Sequence, residues 1–467
     1  MTESTAPTVD PPTRRGGVLA VMCAGMFLVL LDVTIVNVAL PDIARDLHSP
    51  VATLQWVVDG YVVALAGLLL AGGTIGDRFG HRRVLVAGFA LFGTASLACA
   101  LAPTPGVLIA ARVVQGIGGA LLLPGTMAVI VDVYPRRDEQ ARALGTWAAI
   151  SSLALPAGPL LGGVLVGALG WRPVFWLTVP LTAAVILASL RTVPDRRGTR
   201  DESFDVPGLL GFVVALGGLV FTVISVGRGA GTSAAVSATA TLVTLAVALV
   251  AAARGRNPVI PLDLLRHRQF LSPNVVALTM NLTVNGLLFA GMLYIQQARH
   301  YSPTTAGIAV LPMAIPLVVL APVSGRITAA RGPRTAIGLG CLGCAAGCLA
   351  LAMLRADGGI GPLLVAFLLV GCGGGLITTA VVAAVVRATP SDRSGLATGV
   401  SNTARQIGTA CGVAVFGAVA GSPTDNGFLD GLHLVAAVAV AAWAGALVLT
   451  RFGIADNAEP PTRTHRG

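Results

Sequence analysis

The chain has 467 residues, 55% of them hydrophobic and only 11% charged, and its mean hydropathy is +0.82. A soluble domain carries about 25% charged residues, so most of this chain does not face water, and its length suits about a dozen membrane spans of ~20 residues each. The formal net charge of +10 comes from 31 basic residues, all arginine; they sit in short loops between apolar runs, which argues against a nucleic-acid face and for a role in orienting loops.

Residues 1–17 are polar and Pro-rich, with Arg14 and Arg15 directly before the first apolar run. That run is too long for the core of a cleaved signal, so it reads as a retained first span preceded by a cytoplasmic tail. Runs long enough to cross a bilayer follow near 18–40, 54–75, 84–102, 106–131, 141–166, 173–190, 207–226, 235–253, 273–296, 304–328, 335–354, 361–387, 395–420 and 432–453. They predict fourteen helices. An open sheet cannot live in lipid, and the runs are far longer than the alternating ~10-residue strands of a barrel.

Arginine tests this map. With the N-terminus inside, the loops after even-numbered spans and the two tails hold most of the arginines. The other side holds only Arg45, Arg172, Arg228, Arg299 and Arg355, while Arg112 and Arg405 fall within spans. The bias holds at every loop, which predicts a multi-pass protein of the inner (cytoplasmic) membrane with both termini in the cytoplasm.

The chain also repeats itself at an offset of about 250 residues. GIGGAL at Gly116–Leu121 is echoed by GCGGGL at Gly371–Leu376, and GDRFGHRR at Gly76–Arg83 by the degraded TAARGPR at Thr328–Arg334. Two six-helix halves, 18–190 and 273–453, are therefore expected to flank an inserted helix pair, 207–253, with a second cytoplasmic tail at 454–467. Such repeats place a substrate site between the halves near the bilayer midplane.

Ionisable groups inside spans each cost ~2.5–3.5 kcal/mol at a helix centre, so function is their default reading. Asp32 lies in the outer half of span 1, Asp59 about two turns into span 2 from the outer face, and Arg112 at similar depth in span 4. Their shared depth suggests one polar cavity, in which a carboxylate balanced between desolvation and a nearby cation loads and releases a proton. Span 4 carries Arg112, Gln115, Gly116 and Gly119 as a polar and small stripe. Span 5 reads LPAGPLLGGVL, where Pro156, Gly158, Pro159, Gly162 and Gly163 thin the helix and suit it to rocking against neighbours. Asn37, Gln115, Asn281, Asn285, Asn402, Arg405 and Gln406 are candidates for the substrate cavity; the paired amides of spans 9 and 13 either line it or join helices, and Arg405 either faces it or reaches toward the cytoplasm. The loop after span 2 (Asp77, Arg78, Gly80, Arg82) reads as a gate latch, with Asp77 capping the helix that starts near Ser394 and an arginine meeting Asp132. The seven cysteines all fall in apolar stretches; Cys341, Cys344 and Cys348 share a helix face without a His or carboxylate, so they read as packing residues and not as a metal site. No nucleotide-binding loop or hydrolase signature occurs, so neither an enzyme nor ATP drive is expected.

Several of these stretches resemble the major facilitator superfamily, and within it the fourteen-span drug:proton antiporters. LDVTIVNVALP (Leu31–Pro41) is similar to that family's span 1 signature, GGTIGDRFGHRR to the superfamily loop motif with His81 at a usually basic place, and ARVVQGIGGALLLPG to the span 4 motif. GPLLGGVL with GWRPVFWLTVP resembles the antiporter motif and its sequel, and LYIQQARHYSPTTAGIAVLP and SNTARQIGTACGVAV resemble later family regions. The resemblance implies an all-α major-facilitator fold of two pseudo-symmetric six-helix bundles plus two inserted helices. It also implies alternating access and proton-driven export of lipophilic drugs, dyes or antibiotics. Asp32 and Arg112 are then the coupling residues and Asp59 a further proton site. The expected partners are the lipid bilayer, protons and a lipophilic substrate, with no cofactor beyond the coupling proton, no nucleic acid and a monomeric chain. An uptake symporter is the alternative. Some family members that carry divalent cations have extra acids in later spans; here spans 9–14 have none in their cores, which argues against dication export, and monovalent, neutral or acidic substrates fit as well.

Overall fold

The computed structural model describes residues 12–194, 206–227, 229–254, 262–355, 358–389, 394–422 and 427–455. In chain order the first half contains α1 (Pro12–Asp46), α2 (Val51–Phe79), α3 (His81–Ala100), α4 (Pro105–Val133), α5 (Arg137–Ser152), α6 (Ala154–Leu169), α7 (Arg172–Trp176) and α8 (Thr178–Thr192). The inserted pair is α9 (Val206–Gly227) and α10 (Gly231–Arg254). A short α11 (Leu262–Leu265) precedes the second half: α12 (Arg268–Leu293), α13 (Pro303–Ala309), α14 (Leu311–Arg331), α15 (Pro333–Leu351), α16 (Gly361–Arg387), α17 (Ser394–Ala420) and α18 (Phe428–Gly453). The fifth expected span is α5 plus α6, broken at Leu153; the sixth is α7 plus α8, broken at Leu177; the tenth is α13 plus α14. The ninth ends in a π-helical turn, Tyr294–Ala298.

Among the described residues thirteen helical stretches are long and apolar enough to cross a membrane. The fourteenth expected span is α17, a 27-residue helix. Its Ser401, Asn402, Thr403, Arg405, Gln406 and Thr409 make it too polar to qualify by composition alone. It earns its place by packing against α2, α9, α12 and α18. The protein is a multi-pass membrane protein. Its outer surface is apolar where a soluble protein's would not be, with Val164, Leu169, Leu187, Val236, Leu242 and Val247 all more than half exposed. α1 starts at Pro12, inside the expected tail, because helical hydrogen bonding continues past the apolar stretch that sets the span.

The repeat seen in sequence is a repeat in space. The glycines of α4 bring it against α2 and α3: a side chain at Gly116 would meet the Tyr61 carbonyl, and one at Gly118 the backbone of Phe92 and Gly88. In the second half α16 sits the same way between α14 and α15, with Gly371 against Met313, Gly373 against Gly340 and Cys344, and Gly375 against Pro316. The helix ends match too. Gly80 (φ 91°) closes α2 and Gly332 (φ 82°) closes α14, each donating its N–H to the carbonyl four residues back. Gly170 (φ 80°) and Gly421 (φ 73°) do the same after α6 and α17. A left-handed residue at a helix C-terminus favours glycine, and here it recurs at corresponding places in both halves.

α9 covers the seam between α2 and α17. Trp56 meets Phe221 with ring centroids 6.4 Å apart, and Gly227 lies against Ala418. α10 packs on α9 and otherwise presents apolar side chains outward. The two halves join toward the face opposite the N-terminal end of α1. There Gln55 donates to the carbonyls of Val413 (3.3 Å) and Ala414 (2.9 Å), and Gln296 donates to the carbonyl of Val38 (3.1 Å).

Candidate functional site

The first site is a closed polar cluster inside the first half. Asp32 of α1 is 0% exposed and Arg112 of α4 is 1% exposed, so any charge there must be matched within the protein. It is matched: Arg112 Nη1 lies 2.5 Å from Asp32 Oδ2, and Gln115 Nε2 donates to Asp32 Oδ1 at 2.9 Å. Arg112 Nη1 also donates to Gln115 Oε1 (2.6 Å) and Nε to the Val57 carbonyl (3.0 Å), while its guanidinium stands 4.4 Å from the Tyr61 ring centre. Gln115 Nε2 reaches Ser96 Oγ at 2.8 Å, and Ser96 donates back to the Phe92 carbonyl. Four helices thus meet in one network. Gln115 and Arg112, three residues apart on α4, share a face, which lets one helix present both donors to one carboxylate. Gln115, expected to line the substrate cavity, is a partner of Asp32 instead, because that face turns into the bundle. Ser96 and Tyr61 were not anticipated; the available signal in span 3 was a pair of hydroxyls, Thr94 and Ser96, at the depth of Gln115.

Asp59 does not join this network. It is 0% exposed and neither carboxylate oxygen has a hydrogen-bond partner. The expectation that Asp32, Asp59 and Arg112 share one cavity is corrected by helix phase. Val57, whose carbonyl holds Arg112, and Asp59 are two residues apart, about 200° around the helix. Asp59 lies one turn from Gln55, on the stripe that meets α17, and Cys411 of α17 is within electrostatic reach of it.

The second-half candidates form a seam across α12, α16 and α17. Asn285 Nδ2 donates to Thr409 Oγ1 (3.1 Å) and to the Asn281 carbonyl (3.0 Å); Thr409 donates to the Arg405 carbonyl. Arg405 Nη2 donates to the Thr378 carbonyl at 3.0 Å, and its Nε is buried without a partner. Asn281, Asn402, Arg405 and Gln406 are half-buried. Asn37 lies apart from them, 3% exposed, its Nδ2 bonded to the Val33 carbonyl of its own helix.

The proline and glycine run of α6 lies between the halves. A side chain at Gly158 would strike Thr34, and one at Gly162 would strike Ile35, so this face seats on α1. Thr34 Oγ1 donates to the Ala154 carbonyl at 3.2 Å. The next face meets the second half: Thr304 donates to the Gly163 carbonyl (3.0 Å), and Gly307 packs on the Pro159 carbonyl. Pro156 falls in the first turn of α6, just after the break at Leu153, where no N–H is needed, whereas Pro159 lies inside the helix and leaves the Leu155 carbonyl without its helical donor.

At the loop after α2, Asp77 pairs with His81 (3.3 Å), and Arg82 donates to the Leu190 carbonyl of α8 (2.5 Å). Arg82 is thus held at the end of α8, because α3 places it beside that helix end. Arg78 lies over the Phe79 ring. The side chain of Ser394, expected to meet Asp77, lies outside the described residues. No group of three or more His, Cys, Asp or Glu among the described residues is arranged to hold a metal ion. Cys341 and Cys344 are buried in the α15 core, near Thr450 and the Val370 carbonyl.

The sequence profile of the Major Facilitator Superfamily matches residues 22–413. The chain belongs to the Major Facilitator Superfamily. It is therefore a transporter and not an enzyme. Among curated relatives, the Multidrug resistance protein Stp of Mycobacterium tuberculosis is 34% identical over 402 residues, covering 85% of this chain and 74% of that one. The Methylenomycin A resistance protein of Streptomyces coelicolor is 36% identical over 416 residues (87% and 86%), and the Tetracenomycin C resistance and export protein of Streptomyces glaucescens 33% over 420 residues (88% and 77%). A solved bacterial homolog of the human lysosomal transporter Spinster superposes with a TM-score of 0.67 at 16% identity, covering 97% of this chain and all of that one. At that identity the likeness concerns the superfamily fold alone.

Proposed function

We propose that this superfamily member is a proton-coupled antiporter that exports small organic molecules of the drug or antibiotic type by alternating access. It sits in the bacterial cytoplasmic membrane with both termini inside and works as a monomer. The observation that carries this reading is the Asp32–Arg112–Gln115–Ser96 network, a carboxylate fully buried in the membrane interior with a cation, an amide and a hydroxyl arranged around it. The names of the relatives, resistance and export proteins, support the direction of transport.

The mechanism follows from the connections of α1. A proton on Asp32 removes the negative charge that holds Arg112, which weakens the α1–α4 joint. Two and three residues on, Thr34 and Ile35 seat the glycine face of α6, whose other face holds Thr304 and Gly307 of the second half. The change at Asp32 therefore acts one packing layer from the contact between halves. Asp59, buried without partners between α2 and α17, is a second proton site at that contact. The half-buried wall of Asn281, Asn402, Arg405 and Gln406 faces the transported molecule.

Reconstituted Asp32→Asn is expected to fold and to lose proton-driven efflux, while substrate exchange without a gradient persists. Proton-driven efflux at the wild-type rate in that variant would remove Asp32 from the coupling step.

A further inference from the structure

We propose that Arg405 is the docking group for the anionic end of the transported molecule, so that the passenger is a small organic acid with an apolar body. This rests on the export reading above and names its substrate class.

Arg405 stands eleven residues into α17, about 16 Å from the helix start at 1.5 Å per residue. Its surroundings differ from those of Arg112 in the one respect that matters for a charge. Arg112 has a carboxylate, an amide, a carbonyl and a tyrosine ring. Arg405 has the Thr378 carbonyl, and its Nε is buried with no partner. Among the described residues no carboxylate acts on it; of the four acids from Arg268 to Gly453, Asp430 lies in the first turn of α18, and Asp357, Asp392 and Asp425 lie outside the described residues. A cation held that deep is among the costliest groups a membrane helix carries, and it is normally paired. The missing counter-charge is therefore supplied from outside the chain.

The neighbouring groups fit a carboxylate with an apolar body. Asn402 and Gln406 flank Arg405 on α17 as neutral donors, and all three are half-buried, open enough to be reached. The guanidinium fork takes a carboxylate through two parallel N–H groups, a geometry that an ammonium does not offer. Beside it Thr378 meets the Met280 sulfur at 3.6 Å, which gives the site an apolar flank. An anionic lipid headgroup offers the same chemistry, but it would have to leave the interface to reach a group at this depth.

The test is equilibrium binding to the purified full chain in a neutral detergent, with naphthoic and anthracenecarboxylic acids and their primary amides as probes. The acids are expected to bind at least tenfold more tightly than their amides. Arg405→Gln should erase that ratio without changing amide affinity, and Arg405→Lys should keep part of it. Equal affinity of acid and amide for the wild type overturns the proposal, whatever the variants do. A ratio that survives in Arg405→Gln also overturns it. Loss of the ratio on adding phosphatidylglycerol assigns the site to lipid and overturns it too. No gradient is present in this assay, so Asp32→Asn should lose driven efflux yet keep the acid-to-amide ratio. Failure of the proton reading and failure of this one are thereby separated.

Discussion

Replacing either member of the Asp32–Arg112 pair exposes what the pair contributes, because both are essentially inaccessible to solvent. In Arg112→Gln the carboxylate keeps Gln115 but loses its cation; in Asp32→Asn the guanidinium keeps the Val57 carbonyl and Gln115 but loses its anion. Each single change leaves a buried charge uncompensated, at a cost of about 3–5 kcal/mol. The double variant removes both charges and leaves amides that hydrogen-bond each other and Gln115. Most of the loss should then return, which gives a coupling energy of at least about 2 kcal/mol in a double-mutant cycle. The measurement is denaturant unfolding of the four purified proteins in one detergent, followed by tryptophan fluorescence. Single losses that add to within about 0.5 kcal/mol in the double variant would refute the premise that the two groups compensate one another. Proton-driven transport should be absent from the double variant even though its stability is restored.

Two further outcomes follow from the packing. Gly80→Ala and Gly332→Ala each force an L side chain into a left-handed conformation (φ 91° and 82°) and should each cost about 1–2 kcal/mol, visible as matched falls in thermal midpoint; a loss at one and not the other would contradict the structural repeat. Gln55→Leu removes the donor to the Val413 and Ala414 carbonyls, worth about 0.5–1.5 kcal/mol, and should speed hydrogen exchange of the 413–420 amides several-fold while leaving the α4 amides unchanged.

Depth along a helix was legible in the sequence; direction around it was not. Hydropathy located the spans, and counting residues put Asp32 and Arg112 at one level, where the structure pairs them. The same count put Asp59 there as well, and the structure turns it away, since its side depends on which neighbours α2 meets. Gln55 and Asp59, four apart, were the readable sign that a polar stripe ran on a second face. Ser96 and Tyr61 were unreadable for a different reason: one hydroxyl among apolar residues is common in membrane helices, and only its partner gives it meaning. The breaks at Leu153 and Leu177 were hidden because apolar composition runs straight through them. Of the repeat, the Gly80 and Gly332 pair lay within matched loop motifs, whereas Gly170 and Gly421 share only a backbone conformation.

The distribution of charge between the halves constrains the work the protein can do. Among the described residues, the charges deep within the spans of the first half are one compensated pair, Asp32–Arg112, and one uncompensated acid, Asp59; within the spans of the second half there is one uncompensated base, Arg405. Moving one elementary charge through 100 mV is worth about 2.3 kcal/mol. Exchange of one proton for a monovalent cation moves no net charge, so the potential contributes nothing. Exchange for a neutral molecule gains that amount once. Exchange for an anion gains it twice, because the outgoing negative charge and the incoming proton both move with the field. The proposed anion site at Arg405, in the second half and apart from the acids of the first, fits the last case. On the proposed reading the acid takes the proton and the base takes the passenger, so the two need not compete for one group.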